Sequence, residues 1–79
     1  MAYEWMDPEK IGRTVKGLRE EKGETSEQMA GALGISQSAV TMYETGKRIP
    51  RDEIKIRIAE HFGVTVESIF FPEKQHNAC

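Results

Sequence analysis

Gln37, Ser38, Thr41, Met42 and Thr45 recur along GISQSAVTMYETGK, residues 34–47, a stretch that runs like a helix. Their side chains are short or uncharged, in a chain that is 30% charged. Solvated helix faces are normally rich in charge. Lys47, Arg48 and Arg51 follow, with no acid between residue 45 and residue 51. One surface therefore hydrogen-bonds without charge, and the next can hold anions. This is recognition chemistry. No glycine-rich phosphate loop or nucleophile elbow occurs, and Ser36 reads as a helix cap, so no enzyme is expected. His61 and His76 have no partner at ligand spacing and Cys79 is the last residue, so neither metal nor cofactor is expected.

The elements that must position these residues are helices. Asp7-Pro8 is an N-cap followed by proline at the first helical position, with Met6 and Ile11 placed as a hydrophobic staple. Ile11, Val15 and Leu18 continue at helical spacing, which predicts a first helix over 8–22 closed by Gly23. TSEQ, residues 25–28, is a capping box that opens a second helix with Met29, Ala30 and Leu33 inward and Gly34 as its stop. Ser36 caps a third helix over 37–45, ended by Gly46. Arg51 or Asp52 starts a fourth, with Ile54, Ile58 and Phe62 as its core stripe and Gly63 after it. Thr65 caps a short fifth helix over 66–70 carrying Val66, Ile69 and Phe70. The glycines read as helix stops. The expected class is all-α, a compact five-helix bundle: an N-terminal arm over 1–7, a folded domain over 8–71 and a flexible polar tail over 72–79.

Seventy-nine residues imply one domain with a marginal core, for which oligomerisation is a common remedy. No apolar run approaches the roughly 18 residues that span a bilayer, and MAYEWMDPEK lacks the basic start and apolar core of a secretory signal, so a cytoplasmic protein with no membrane partner is expected. The net charge of −2 does not by itself suggest nucleic acid. Its distribution does more: acids crowd residues 1–9, whereas 45–51 is purely basic. Tyr3, Trp5 and Met6 either cover the end of the core or form an arm against a partner subunit.

The two short helices are joined by only GIS, a turn so tight that they must cross steeply, as in a helix-turn-helix. Ala30 supplies the small residue at the crossing and Gly34 the residue tolerant of positive φ. Met29, Leu33, Ile35, Val40 and Tyr43 fill the inward positions. LREEKG (18–23), TSEQMAGALGIS (25–36), QSAVTMYETGKRIP (37–50) and IAEHFGVTVESIF (58–70), in this order and spacing, resemble the Xre family of phage-repressor and Cro-type helix-turn-helix regulators.

The resemblance implies a sequence-specific regulator of transcription, a repressor, that binds double-stranded DNA as a homodimer on an inverted repeat. The third helix enters the major groove with its N-terminal residues nearest the bases. Gln37, Ser38, Thr41 and Met42 are then the base readers: glutamine bonds adenine, serine and threonine bond several edges, and the Thr41 methyl and Met42 pack on thymine methyls. Thr25 and Ser26, at the start of the second helix, and Thr45, Lys47, Arg48 and Arg51 are the phosphate contacts, with Lys10 and Arg13 as further candidates. The family's pairing of a first-helix arginine with a third-helix glutamate falls on Arg19 and Glu44. Its dimer contacts fall on Pro50, Val66, Ser68, Phe70 and Phe71. The chain departs from the family at Ser26 (often glutamine), at Met42 (often polar) and at Thr45 (often asparagine), which affects the target sequence and not the fold. Two other readings compete. One is an antitoxin that binds a toxin partner as well as its own operator. The other is a protein-interaction module that has lost DNA.

Overall fold

The computed structural model describes residues 7–71 and consists of α1 (Pro8–Glu21), α2 (Ser26–Leu33), α3 (Gln37–Thr45), α4 (Asp52–Phe62) and α5 (Val66–Phe70), with no strand among the described residues. Local chemistry sets the boundaries. Asp7 accepts from the N–H groups of Glu9 and Lys10, Ser36 from Ala39 and Thr65 from Ser68. At α2 both halves of the capping box form, Thr25 Oγ1 accepting from Gln28 N and Gln28 Oε1 from Thr25 N. Each cap satisfies an N–H that the helix leaves without a partner. α1 ends one residue earlier than its periodicity suggests, with Lys22 as its cap. α4 begins at Asp52, and Arg51 caps it without a side-chain bond. The staple partner Met6 and the Tyr3/Trp5 segment lie outside the described residues, as do His76 and Cys79.

α1 packs chiefly on α3, α2 on α3 and α4, and α5 on α4 and α1. Val15, Met29, Val40, Ile58, Ile69 and Phe70 are fully buried where these layers meet. Ile54, Phe62 and Leu18, expected in the core, pack against it while partly exposed. At Gly34 the backbone takes φ +70, which lets Ile35 N–H return to the Ala30 carbonyl at 3.0 Å and turns the chain from α2 into α3.

Two polar links fasten the bundle. Arg19 grips Glu44 through both carboxylate oxygens, at 2.7 and 3.1 Å, and donates to the Glu24 carbonyl at 2.9 Å. His61 of α4 meets the Glu24 carboxylate at 2.8 Å, and Lys22 donates to the His61 carbonyl at 3.0 Å. Periodicity gave no sign of this second link, because its partners stand 37 residues apart. The reading of the glycines as helix stops fails at Gly12, which is buried in the middle of α1.

Candidate nucleic-acid interface

α3 is amphipathic in an unusual sense. Val40 and Tyr43 are buried against α1 and α2. On the other side Gln37, Ser38, Thr41, Met42 and Thr45 come together with Lys47 around one open concavity of about 460 Å³. All four expected base readers are among them. Gln37, Ser38 and Thr41 are exposed, and Met42 is half-buried.

Gln37 does not hang free. Its Nε2 donates to Ser26 Oγ at 2.9 Å, tying the first residue of α3 to the first residue of α2. Ser26, expected to touch a phosphate with its side chain, accepts this bond from Gln37 and keeps its hydroxyl hydrogen. Sequence spacing gives no hint of this contact. Its only signal is that both positions are polar and open consecutive helices.

Thr45, expected among the phosphate contacts, is exposed at the end of α3. Its hydroxyl donates back to the Thr41 carbonyl at 2.8 Å. A phosphate oxygen needs a donor, and the Thr45 proton is already engaged inside α3. Thr25 is better placed: its oxygen accepts from Gln28 N, which leaves its hydroxyl hydrogen available. The capping box occupies Thr25 N, and the Ser26 and Glu27 N–H groups of the first turn have no intrahelical partner. The α2 N-terminus thus presents donors and a partial positive charge.

Lys47, Arg48 and Arg51 are exposed, and none of them forms an ion pair among the described residues. Lys55 and Arg57, by contrast, are paired with Asp52 and Glu53. The cations just beyond α3 are therefore uncompensated, unlike those of α4. Lys10 and Arg13 are exposed on α1.

The acid within α3 is withdrawn from this surface. Only 7% of the Glu44 side chain is exposed, and 13% of its partner Arg19. The hydrogen bond that Arg19 donates to Glu44 raises the Arg19 pKa above its ordinary value, against an opposing effect of burial. The guanidinium stays charged at every pH at which the fold is of interest.

The expected dimer residues divide. Pro50 is buried and Phe70, part of the core, is fully buried inside the protomer, so neither side chain has surface to give a second subunit. Pro50 was expected there through resemblance to the family, and the apolar bulk of residues 69–71 looks surplus until α5 packs on α4 and α1. Val66, Ser68 and Phe71 remain half-buried. Ile56 of α4 is 51% exposed and escaped notice as one more isoleucine of an apparently regular helix. No helix among the described residues is long and apolar enough to cross a membrane, and no group of metal-binding side chains occurs among them.

Comparison with known proteins agrees with this geometry. A helix-turn-helix family profile, HTH_3, matches residues 15–69. The chain is 36% identical over 69 residues to the uncharacterised HTH-type transcriptional regulator YazB of Bacillus subtilis, covering 87% of this chain and all of that one. It is also 39% identical over 51 residues to the HTH-type regulatory protein PH1808 of Pyrococcus horikoshii, covering 65% of this chain but 16% of that much longer one. Among solved structures, the restriction-modification controller protein C.AhdI of Aeromonas hydrophila superposes with a TM-score of 0.76 at 26% identity, over 81% of this chain and 97% of that one. The profile spans the helix-turn-helix and the helices that support it, and the chain belongs to the HTH_3, or Xre/Cro-type, family of DNA-binding helix-turn-helix transcriptional regulators.

Proposed function

We propose that the protein is a sequence-specific repressor that binds an inverted-repeat operator as a homodimer, with α3 in the major groove. The observation that carries this is the shared concavity of Gln37, Ser38, Thr41 and Met42, bordered by unpaired cations. Uncharged hydrogen-bonding groups discriminate base edges, whereas cations bind phosphates regardless of sequence. Gln37 and Ser38 lie at the N-terminal end of α3, nearest the bases in such a docking. Lys47 and Arg48 follow α3 and Arg51 precedes α4, where they hold the flanking backbone. The α2 N-terminus, with Thr25, takes a phosphate on the other side of the groove.

One α3 touches few base pairs. Two-fold pairing places a second copy about 34 Å away, in the next major groove on the same side of the duplex. Val66 and Ser68 of α5, and Phe71 just after it, supply the paired surface. Bound in this way, the dimer excludes other proteins from the same stretch of DNA, which is the basis of repression.

Selection of bound duplexes from a random DNA pool tests the reading. The expected product is an inverted repeat whose half-sites lie about one helical turn apart. A single unrepeated half-site would remove the dimer. No enrichment at all, even at low salt, would remove sequence reading.

A further inference from the structure

Gly12 occupies a place where a helix ordinarily avoids glycine: mid-helix, buried, with φ in the normal range. Glycine is a poorer helix former than alanine at such a position. The surroundings explain it. A Cβ at this position would lie 2.2 Å from the Glu44 carbonyl oxygen, 2.6 Å from the Glu44 carbonyl carbon and 2.7 Å from the Tyr43 carbonyl oxygen. All three are backbone atoms in the last turn of α3, so no side chain can swing aside. The contact is matched from the other direction. A Cβ on Gly46, just past α3 with φ +81, would lie 2.9 Å from Glu9 N and 3.0 Å from Glu9 Cα in the first turn of α1. Glu44, which Gly12 touches through backbone, is also the residue that Arg19 holds two turns further along α1. Gly17, in the same helix, has nothing within 4 Å of a built Cβ.

We infer that Gly12 is a specificity-determining positioning residue: by letting α1 touch the backbone of α3, it sets the tilt of the reading helix relative to the phosphate clamps. The two ends of α3 are held differently. Its start is tied to α2 by the short turn and by the Gln37–Ser26 bond. Its last turn is held by α1 at Gly12 and Arg19. A methyl group at residue 12 needs about 1 Å of extra room, applied at one end of a helix about 12 Å long. The start stays anchored, so the helix pivots by about 5°. The exit to Lys47 moves most, Thr41 and Met42 by about half as much, and Gln37 least. A displacement of about 0.5 Å at Thr41 and Met42 is enough to weaken a base-edge contact, while a flexible lysine or arginine can follow its phosphate.

The inference rests on α3 as the reading helix, and the experiment separates the two. Wild type, Gly12→Ala and Gly17→Ala are each titrated, as full chains, with the duplex enriched from a random pool and with a scrambled duplex of equal length. Folding is followed by circular dichroism. Gly12→Ala is expected to lose about tenfold or more in the ratio of the two affinities, through the base pairs opposite Thr41 and Met42. Its affinity for the scrambled duplex should stay within about threefold. Gly17→Ala should keep the wild-type ratio. If Gly12→Ala does not fold, Gly46→Asn presses the same contact from the other side, its Cβ 2.9 Å from Glu9 N, with a residue type that accepts the positive φ there more readily than most. It is expected to lower the ratio about threefold. A folded Gly12→Ala, or in its absence a folded Gly46→Asn, with an unchanged ratio overturns the inference alone. A wild-type chain that shows no ratio to begin with overturns the assignment of α3 as reader, and the inference falls with it.

Discussion

The two sides of α3 are built on opposite rules. On the inner side Val40 is completely buried, Tyr43 nearly so, and the one acid, Glu44, is paired through two short bonds. No buried side-chain nitrogen or oxygen is left unsatisfied among the described residues. On the outer side Gln37, Ser38, Thr41 and Thr45 are exposed, and much of their hydrogen-bonding capacity faces the concavity. An inner residue has its partners within the fold, so its loss registers as stability. An outer residue has its partners elsewhere, so its loss should register only when DNA is present.

The largest expected effect is on the inner side. Arg19→Ala leaves the Glu44 carboxylate nearly buried without its cation, and should destabilise the fold by about 3 kcal/mol or more in denaturant unfolding. The folded-state pKa of Arg19 is raised, so its contribution is complete below the unfolded value and is lost only as pH rises through the still higher folded one. The deficit should therefore be the same at pH 7 and pH 9. A loss below about 1 kcal/mol would mean that the pair behaves as a solvated one, and the contrast between the two sides would weaken.

Gln37→Ala comes next. It should leave unfolding unchanged and remove about 1–3 kcal/mol of discrimination at a single base pair, read from affinities for operators altered one position at a time. An equal loss on all sequences would mean that Gln37 is a clamp. Ser26→Ala should have a smaller effect, about 1 kcal/mol, at that same base pair, because it only steadies the glutamine. In the background of Gln37→Ala it should do nothing at that position, and a full additional loss there would return Ser26 to the phosphate. The smallest and least selective effect belongs to Arg48→Ala. It should weaken all duplexes alike and reduce the slope of log affinity against log salt by about one. An unchanged slope would place Arg48 in solvent.

How much of this was legible depended on range. The α2 capping box, the Ser36 cap and the Gly34 turn were readable because each is closed by groups no more than five residues apart. The uncharged outer face of α3 was readable for the same reason, since helical spacing puts residues 37, 38, 41 and 45 on one side once the helix is known. The Arg19–Glu44 pair, 25 residues apart, came only through resemblance to a family. Nothing in the chain pointed to His61 with Glu24.

The sequence by itself determined five helices, their ends and a helix with an uncharged outer face beside a run of cations, because capping, helical period and charge are properties of neighbours along the chain. Tertiary structure alone decided what each exposed or apolar residue was for. Pro50 and Phe70 became buried, Thr45 bonded its hydroxyl back to its own helix, Ser26 accepted from Gln37, and Gly12 became the point where two backbones touch. These depend on how steeply and how closely helices cross, and crossing is set by side-chain volumes from several elements together.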